Sequence, residues 1–284
     1  MHELVTIPEL RGWLAEARFT GQRVALVPTM GALHEGHLSL IDEARRRAEA
    51  VVLSVFVNPL QFGPNEDFTR YPRDLARDAG LAAARGTDVL FAPPVEAMYP
   101  PGAEIRVTPG PTAERLEGAV RPGHFTGVLT VVTKLFHLVE PDVAIFGQKD
   151  IQQATLIRQL VRDLDFPIDV VVAQTVRDPD GLALSSRNAY LSATERAQGL
   201  GLSAALRAAD RAWRDGERDG AALVRVMEAE CGRFPGLAPD YIAAVDPERL
   251  LPVTQAEAGT ILTLAGRVGP TRLIDNHILG RVFA

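Results

Sequence analysis

The strongest constraint on the fold is an alternation of short apolar runs with helix-periodic segments through the first two-thirds of the chain. The apolar runs of strand length are residues 23–28, 51–57, 88–91, 143–146 and 168–173. Helical periodicity marks the segments at residues 37–50, 127–139 and 151–164. Strands separated by helices of this length are joined by right-handed crossovers and form a parallel sheet. In such sheets, ligands bind beyond the carboxyl ends of the strands.

The pattern changes after about Tyr190, and residues 92–123 are rich in proline and glycine, which predicts loops and short elements there. A long helix is predicted from Ser192 to Trp213, with Glu195 as the partner of Ser192 in a capping box. The remaining candidates are a helix at 220–231 and strands at 241–246, 260–265 and 272–274. We therefore predict an α/β fold class, with a Rossmann-like parallel sheet domain and a smaller C-terminal α+β domain.

Composition argues against several classes of protein. The 284 residues carry a net charge of −6, so we expect no broad basic surface for nucleic acid. No apolar run approaches the roughly 18 residues of a membrane span, and the first residues lack the features of a signal peptide. The one cysteine, Cys231, suits a reducing compartment, has no redox partner and is expected to be inert. We expect a cytoplasmic protein with no nucleic-acid partner and no membrane partner.

The segment from Pro28 to His37 leaves an apolar run and enters a predicted helix. A helix N-terminus presents free backbone N–H groups and the positive end of a dipole, which favours phosphate. Gly31 and Gly36 allow a ligand to approach the backbone closely. His34 and His37 add side-chain donors for a triphosphate. The alternatives are a loop with two surface histidines, and a zinc site whose further ligands the sequence does not supply.

Two more segments with polar side chains follow predicted strands. Asn58-Pro59-Leu60-Gln61-Phe62 offers neutral amides to the hydroxyl or carboxylate groups of a small ligand, although Asn-Pro is also a common turn. Gly147-Gln148-Lys149-Asp150 offers a point charge for phosphate and a carboxylate for Mg²⁺, with an exposed pair of capping residues as the alternative. Lys149 is one of only two lysines beside 28 arginines, which points to a particular local role.

The segment Leu184-Ser185-Ser186-Arg187-Asn188 lies near the predicted domain junction. Its hydroxyls and guanidinium suit phosphate groups, whereas a serine-rich turn before the Ser192 helix is the simpler interpretation. Among the remaining histidines, His124 is a candidate site residue. His137 is expected to be structural, and His277 has no partner motif in the sequence.

Together these segments resemble the pantoate–β-alanine ligase family along nearly the whole chain. The matching segments are residues 28–37, 58–62, 121–127, 146–153, 184–188 and 271–276. The His-x-Gly-His element by itself indicates only the wider nucleotidyltransferase superfamily, whereas all the segments in this order are more specific. The resemblance implies an AMP-forming ligase in which the carboxylate of pantoate attacks the α-phosphate of Mg-ATP and releases pyrophosphate. The β-alanine amine then attacks the pantoyl adenylate, and pantothenate and AMP are the products.

The resemblance also implies roles for individual residues. The implied ATP-binding residues are Met30, Gly31, Ala32, Leu33, His34, Glu35, Gly36, His37, Gly147, Gln148, Lys149, Asp150, Val176, Leu184, Ser185, Ser186 and Arg187. The implied catalytic residues are His37, His34, Lys149 and Arg187. The implied contacts to pantoate or β-alanine are Asn58, Gln61 and Gln153, and the implied metal ligand is Asp150, with Asp74 and Asp78 as further carboxylates to consider. The implied organisation is a homodimer, with a nucleotide- and pantoate-binding domain at 1–175 and a lid-like domain at 176–284.

Three other functions stay open at this level. An adenylyl- or cytidylyltransferase shares His34 and His37 but joins a nucleotide to a phosphorylated alcohol, and the uncharged Gln61 and Gln153 argue against a substrate phosphate. A nucleotide-binding regulatory module predicts ATP binding without release of pyrophosphate. A zinc hydrolase predicts stoichiometric metal in the purified protein.

Overall fold

The computed structural model describes residues 1–64 and 66–283, and its contacts divide the chain into two compact units. Unit 1 comprises Met1–Glu114, Arg121–Gly147 and Leu156–Ala173. Unit 2 comprises Arg115–Val120, Gln148–Thr155 and Gln174–Ala284. Two short segments that precede Gln174 in the chain therefore belong to the same unit as the C-terminal region.

The helices and strands alternate through the first part of the chain. In order they are β1 (His2–Leu4), α1 (Ile7–Phe19), β2 (Val24–Thr29), α2 (Glu35–Arg45), β3 (Ala50–Val55), α3 (Leu75–Ala84), β4 (Val89–Phe91), α4 (Val95–Met98), α5 (Glu117–Val120), α6 (His124–Val139), β5 (Val143–Gly147), α7 (Ile151–Asp163) and β6 (Asp169–Ala173). The later elements are α8 (Ala193–Arg214), α9 (Gly220–Cys231), β7 (Leu237–Val245), β8 (Ile261–Val268) and β9 (Thr271–Ile278).

Within the described residues, unit 1 contains a six-stranded sheet in the order β1-β4-β3-β2-β5-β6, and every pairing in it is parallel. The chain builds outward from β2 through β3 and β4, and then returns to the other side of β2 with β5 and β6. The direction of winding reverses between β2 and β5, and such a reversal opens a crevice at the carboxyl ends of the strands.

The central strands β2 to β5 of this sheet are buried on both faces, since the crossover connections place helices against each face. Along β2, Val24 and Leu26 pack in one apolar cluster with Leu10 of α1 and Phe136 of α6. The intervening residues of β2 pack in a second cluster with Ile41 of α2. Successive side chains of a strand point to opposite faces, so one short apolar run serves both layers.

Unit 2 contains a three-stranded antiparallel sheet, in the order β7-β8-β9, among the residues described. Leu206 of α8 and Met227 of α9 pack against Leu262 and Leu264 of β8 in one apolar cluster. The helix α8 begins with the predicted capping box, in which the Ser192 hydroxyl accepts from the N–H of Glu195 at 3.3 Å. The Glu195 carboxylate in turn accepts from the N–H of Ser192 at 2.8 Å.

The predicted fold class is confirmed, because a parallel α/β sheet and a separate, smaller α+β unit are both present. Sequence analysis did not predict β1, α1 or α3. The three residues of β1 pair only with the distant β4, and α3 buries mainly alanine, so neither has a strong hydrophobic period. The helix α1 had a readable signal, since Thr6 and Glu9 form a capping box at its start.

The strands of unit 2 are longer than their apolar periodicity indicates. The pairing of β7 with β8 begins at Leu237, and β9 continues to Ile278 through buried polar residues. Among residues 1–64 and 66–283, no helix is both long and apolar enough to cross a membrane.

Candidate active site

The loop between β2 and α2 contains two consecutive residues with left-handed backbone conformations. Gly31 and Ala32 both have positive φ angles, of 81° and 52°. The buried carboxylate of Asp78, on α3, accepts hydrogen bonds from the N–H groups of Ala32 and Leu33, each at 2.8 Å. A Cβ atom on Gly31 would lie 2.9 Å from the same carboxylate. Glycine is therefore needed there both for its φ angle and for space.

The two carboxylates that follow Tyr71 in the sequence have structural tasks. Asp74 caps α3, since its side chain accepts from the N–H of Arg77 at 3.1 Å. Asp78 is 1% exposed, and both of its oxygens accept backbone N–H groups. Arg77 adds a third link, because its Nη1 donates to the carbonyl of Leu33 at 3.0 Å. These residues fix the loop of 30–33 from the neighbouring helix, a role that sequence analysis missed.

The two histidines of the loop lie together at the N-terminus of α2. His34 is the N-cap residue, and its Nδ1 accepts from the N–H of Gly36 at 3.1 Å. The ring centroids of His34 and His37 are 4.1 Å apart. The positive end of the α2 dipole lies at the same place and favours negative charge there.

Asn58 follows β3 and its hydrogen-bonding capacity is filled by the protein. Its amide nitrogen donates to Gln61 Oε1 at 2.9 Å and to the carbonyl of Gly127 at 3.1 Å. Its amide oxygen accepts from the Tyr99 hydroxyl at 2.9 Å and from the N–H of Leu60 at 3.3 Å. Both donors and both acceptor sites of this amide are satisfied, and Asn58 is 1% exposed. Asn58 therefore fixes the positions of the residues around it.

Gln61 is half-buried, and two side chains hold its backbone carbonyl. The Nδ1 of His124 lies 2.8 Å from the carbonyl of Gln61, and Nη2 of Arg121 donates to the same carbonyl at 3.3 Å. Arg121 also donates to Glu66 at 2.6 and 2.7 Å. Burial alone would raise the pKa of Glu66, but its hydrogen bonds with Arg121 hold that pKa below its usual value. The candidate His124 thus lies beside a predicted substrate contact.

The loop at residues 30–37 and the turn at residues 58–62 are in contact within unit 1. The strands β2 and β3 are adjacent and in register, with Thr29 opposite Val55 at their carboxyl ends. Nε2 of Gln61 lies 3.3 Å from Sδ of Met30, which is a weak hydrogen-bond contact. A loop suited to phosphate and an uncharged amide therefore lie side by side.

A second set of predicted residues lies in unit 2. Gln148, Lys149 and Asp150 form a 3₁₀ turn that leads into α7. Gln148 is buried and Asp150 is exposed. Gln153 is half-buried on the first turn of α7. Gly147, directly before the turn, ends β5 in unit 1.

The segments at Val176 and at 184–187 are brought together by their backbones. The N–H of Leu184 donates to the carbonyl of Val176 at 3.0 Å. The Ser185 hydroxyl accepts from the N–H of Arg187 at 3.3 Å and opens a short 3₁₀ helix that contains Ser186. Val176 and residues 184–187, which are separate in the sequence, therefore form one structural feature.

The remaining single residues differ in their surroundings. His277 has a partner after all, because its Nε2 lies 3.2 Å from Oδ1 of Asp210, and both side chains are buried. Sequence analysis missed this pair, since 67 residues separate its members. His137 is exposed and lies with its ring centroid 5.3 Å from that of Phe166. Cys231 is 3% exposed, and burial raises the pKa of its thiol to about 11, which agrees with an inert thiol.

A doubly wound parallel sheet with two histidines at a helix N-terminus is an arrangement found in nucleotide-binding α/β proteins. The family model for Pantoate-beta-alanine ligase matches residues 2–278. The chain belongs to this family, and it is therefore a ligase.

Individual relatives agree with this assignment over their full length. Pantothenate synthetase from Moorella thermoacetica is 52% identical over 98% of this chain and 99% of its own. The crystal structure of pantothenate synthetase from Thermus thermophilus superposes with a TM-score of 0.93, at 50% identity over 98% of this chain and 99% of its own. A pantoate-beta-alanine ligase from Francisella tularensis, complexed with Beta-gamma ATP and Beta-alanine, has a TM-score of 0.81 and 35% identity, and both chains are fully covered.

Proposed function

We propose that this protein uses ATP to join pantoate to β-alanine with the residues described above. The carboxylate of pantoate forms a bond to the α-phosphorus, and the bond to the leaving pyrophosphate breaks. The amine of β-alanine then attacks the acyl carbon, AMP leaves with the electrons of the acyl–oxygen bond, and the amine loses a proton. The observation that carries the proposal is a contact between two segments. Met30, in the loop that leads to His34 and His37, touches the uncharged amide of Gln61. The Francisella tularensis relative supports it, because it was solved with an ATP compound and β-alanine.

ATP is the proposed ligand of four segments of this chain. Residues 30–37 offer the N-terminus of α2 with His34 and His37 to the phosphates, and residues 147–150 offer Lys149. Val176 is proposed to meet the adenine through its backbone, and residues 184–187 complete the set, with Arg187 as the further cation. Transfer at phosphorus depends on positioning and charge neutralisation more than on a strong base. His34, His37, Lys149 and Arg187 are therefore proposed to stabilise the charge that develops on the phosphates.

Pantoate is the proposed ligand of Gln61 and Gln153. Neutral amides bind hydroxyl and carboxylate oxygens without neutralising the nucleophile. A carboxylate is already ionised at pH 7, so the first step requires no activating base. Asn58 is proposed to position Gln61 instead of touching substrate, since its own hydrogen bonds are taken up within the protein.

Mg²⁺ fits this proposal through Asp150. Mg²⁺ is usually bound by one or two carboxylates together with substrate phosphates and water, and Asp150 is an exposed carboxylate next to Lys149. In residues 1–64 and 66–283, no group of three or more His, Cys, Asp or Glu side chains is arranged to hold a metal. A bound Mg²⁺ would supply neutralisation of the phosphate charge. The homodimer, the cytoplasmic location and the functional boundary between residues 175 and 176 stay predictions.

The first experiment measures pyrophosphate and AMP release from ATP, with pantoate alone and then with β-alanine. We expect pyrophosphate release to require pantoate, and sustained AMP release to require both compounds. Pyrophosphate release with a phosphorylated alcohol in place of pantoate would favour a nucleotidyltransferase. ATP binding without pyrophosphate release under any of these conditions would favour a regulatory module.

Single-turnover formation of the adenylate then tests the assigned residues. We expect His37→Ala and Lys149→Ala to slow it by at least about 100-fold, as removal of a preorganised charge or donor does. Gln153→Ala should weaken pantoate binding more than ATP binding. Near-wild-type rates for His37→Ala and Lys149→Ala, or unchanged pantoate affinity for Gln153→Ala, would contradict these roles.

A further inference from the structure

Asn276, near the end of β9, is buried and bonded to the turn that carries Lys149. It is 1% exposed. Its Nδ2 donates to the carbonyl of Gln148 and to the carbonyl of Lys149, each at 2.9 Å. Its Oδ1 accepts from Nε2 of Gln148 at 3.2 Å. All three hydrogen bonds of this side chain therefore go to two consecutive residues of one 3₁₀ turn.

The chemistry of asparagine matches this task closely. Buried backbone carbonyls require donors, and the two carbonyls here share one nitrogen that carries two N–H groups. Aspartate lacks those donors, and serine has a single O–H. Asn276 is thus suited to fix two adjacent carbonyls and one amide together.

Asn276 is itself fixed by a buried ion pair. Its backbone N–H donates to Oδ1 of Asp275 at 2.8 Å. Asp275 accepts two hydrogen bonds from Arg177, at 2.6 and 2.9 Å. The side chains of Arg177 and Asp275 are 5% and 2% exposed. A bidentate pair of this kind has a defined geometry, so the end of β9 is a rigid point of attachment.

The residue before Asn276, Asp275, also holds a second segment that is proposed to bind ATP, at residues 176–177. Arg177 directly follows Val176, the residue proposed to meet the adenine, and also donates to the carbonyl of Gly181 at 3.2 Å. Asp275 thus holds the 176–177 segment, and Asn276 holds the 148–149 turn. The adjacent residues Asp275 and Asn276 therefore hold two segments that are proposed to contact ATP and that lie apart in the sequence.

We infer that Asn276 is a positioning residue that sets the backbone of Lys149 for phosphate binding, with Asp275 and Arg177 as its support. This inference rests on the proposed role of Lys149. Displacement of a catalytic group by a fraction of an ångström to one ångström costs up to about 100-fold in rate. The motif at 271–276, which matches the family in sequence, acquires a physical role in this way.

A double-mutant cycle tests the inference through adenylate formation in a single turnover. We expect Asn276→Ala to slow the step by about 10- to 100-fold. In a Lys149→Ala background the same change should cost less than about 3-fold, because Asn276 acts through Lys149. Ile274→Val, two residues away on β9, is the control for general loosening of the strand and should stay within about 2-fold. Full additivity in the cycle would overturn the inference.

The scarcity of lysine gives a second readout that does not depend on activity. Reductive methylation with ¹³C-formaldehyde labels Lys149, Lys134 and the N-terminal amine, and Lys149→Arg identifies the Lys149 resonance. We expect Asn276→Ala to move the Lys149 resonance and to leave that of Lys134 unchanged. An unmoved Lys149 resonance overturns the inference. Should Asn276→Ala fail to fold by circular dichroism, Asn276→Ser, which keeps one donor, takes its place in both experiments.

The two experiments separate this inference from the proposed function. If Lys149→Ala leaves adenylate formation intact, the proposed role of Lys149 fails, and the lysine resonance still tests whether Asn276 holds the turn. If Lys149→Ala is slow and the cycle is additive, the role of Lys149 stands and the positioning by Asn276 fails.

Discussion

At the scale of single residues, His277 couples the stability of unit 2 to pH. Burial lowers the pKa of His277 below its ordinary value, and Arg177 and Arg214 lower it further, while Asp210 opposes the shift. The folded chain therefore keeps this imidazole neutral at a pH where the unfolded chain already binds a proton. The unfolded state binds more protons below about pH 6.5, the ordinary value for histidine. The contribution of His277 is thus complete above that pH and is lost as the pH falls towards the folded-state pKa.

We expect the free energy of unfolding to be lower at pH 5.5 than at pH 7.5, and His277→Gln to reduce that difference. Urea titration followed by the fluorescence of Trp213 reports on this unit when the other tryptophan, Trp13 of unit 1, is replaced by Trp13→Phe. The exposed His137→Gln is the matched control and should keep the wild-type difference. An equal pH dependence in His277→Gln and wild type would show that other groups dominate.

At the scale of secondary structure elements, Gly127 of α6 allows the turn of residues 59–61 to pack closely against that helix. A Cβ atom on Gly127 would overlap the carbonyl oxygen of Leu60 and would lie 2.6 Å from the backbone nitrogen of Gln61. Backbone atoms cannot yield as flexible side chains do. The helix and the turn of 59–61 therefore approach closely only because residue 127 has no side chain.

Gly127→Ala is expected to displace the turn, to lower the free energy of unfolding by about 1–3 kcal/mol and to weaken pantoate binding. Gly80→Ala in α3 is the matched control, because no atom lies within 4 Å of the added Cβ. That change should raise stability by about 0.5–1 kcal/mol through helix propensity. Urea denaturation and pantoate titration of both variants test the pair, and a stabilised Gly127→Ala would refute the steric argument.

At the scale of the whole molecule, unit 2 depends on a segment that comes early in the chain. Arg272 on β9 donates to both carboxylate oxygens of Glu117 on α5, at 2.6 and 2.8 Å. The hydroxyl of Tyr241 donates to the same carboxylate at 2.8 Å. Burial would lower the pKa of Arg272, but hydrogen bonds to Glu117 and Asp240 hold it above its ordinary value. Removal of one partner of a buried pair leaves an uncompensated charge.

A fragment of residues 176–284 lacks Glu117 and is therefore expected to unfold without a cooperative transition. In the full chain carrying Trp13→Phe, Glu117→Ala should lower the stability reported by Trp213 by about 3–5 kcal/mol. Urea titration of both proteins checks the expectation. A fragment that unfolds cooperatively at the midpoint of the full chain would mean that residues 115–120 and 148–155 are dispensable.

The sequence by itself determined the α/β class, most of the helices and strands, and the family. These rest on local patterns, namely apolar period, capping residues and motifs that are contiguous along the chain. Tertiary structure decided which polar residues work in pairs. Asp78 beneath the loop at 31–33, Asn276 beneath Lys149 and Glu117 against Arg272 join residues 45 to 155 positions apart. Such pairings arise where a buried donor or charge must find its partner across the fold, and no local period along the chain records them.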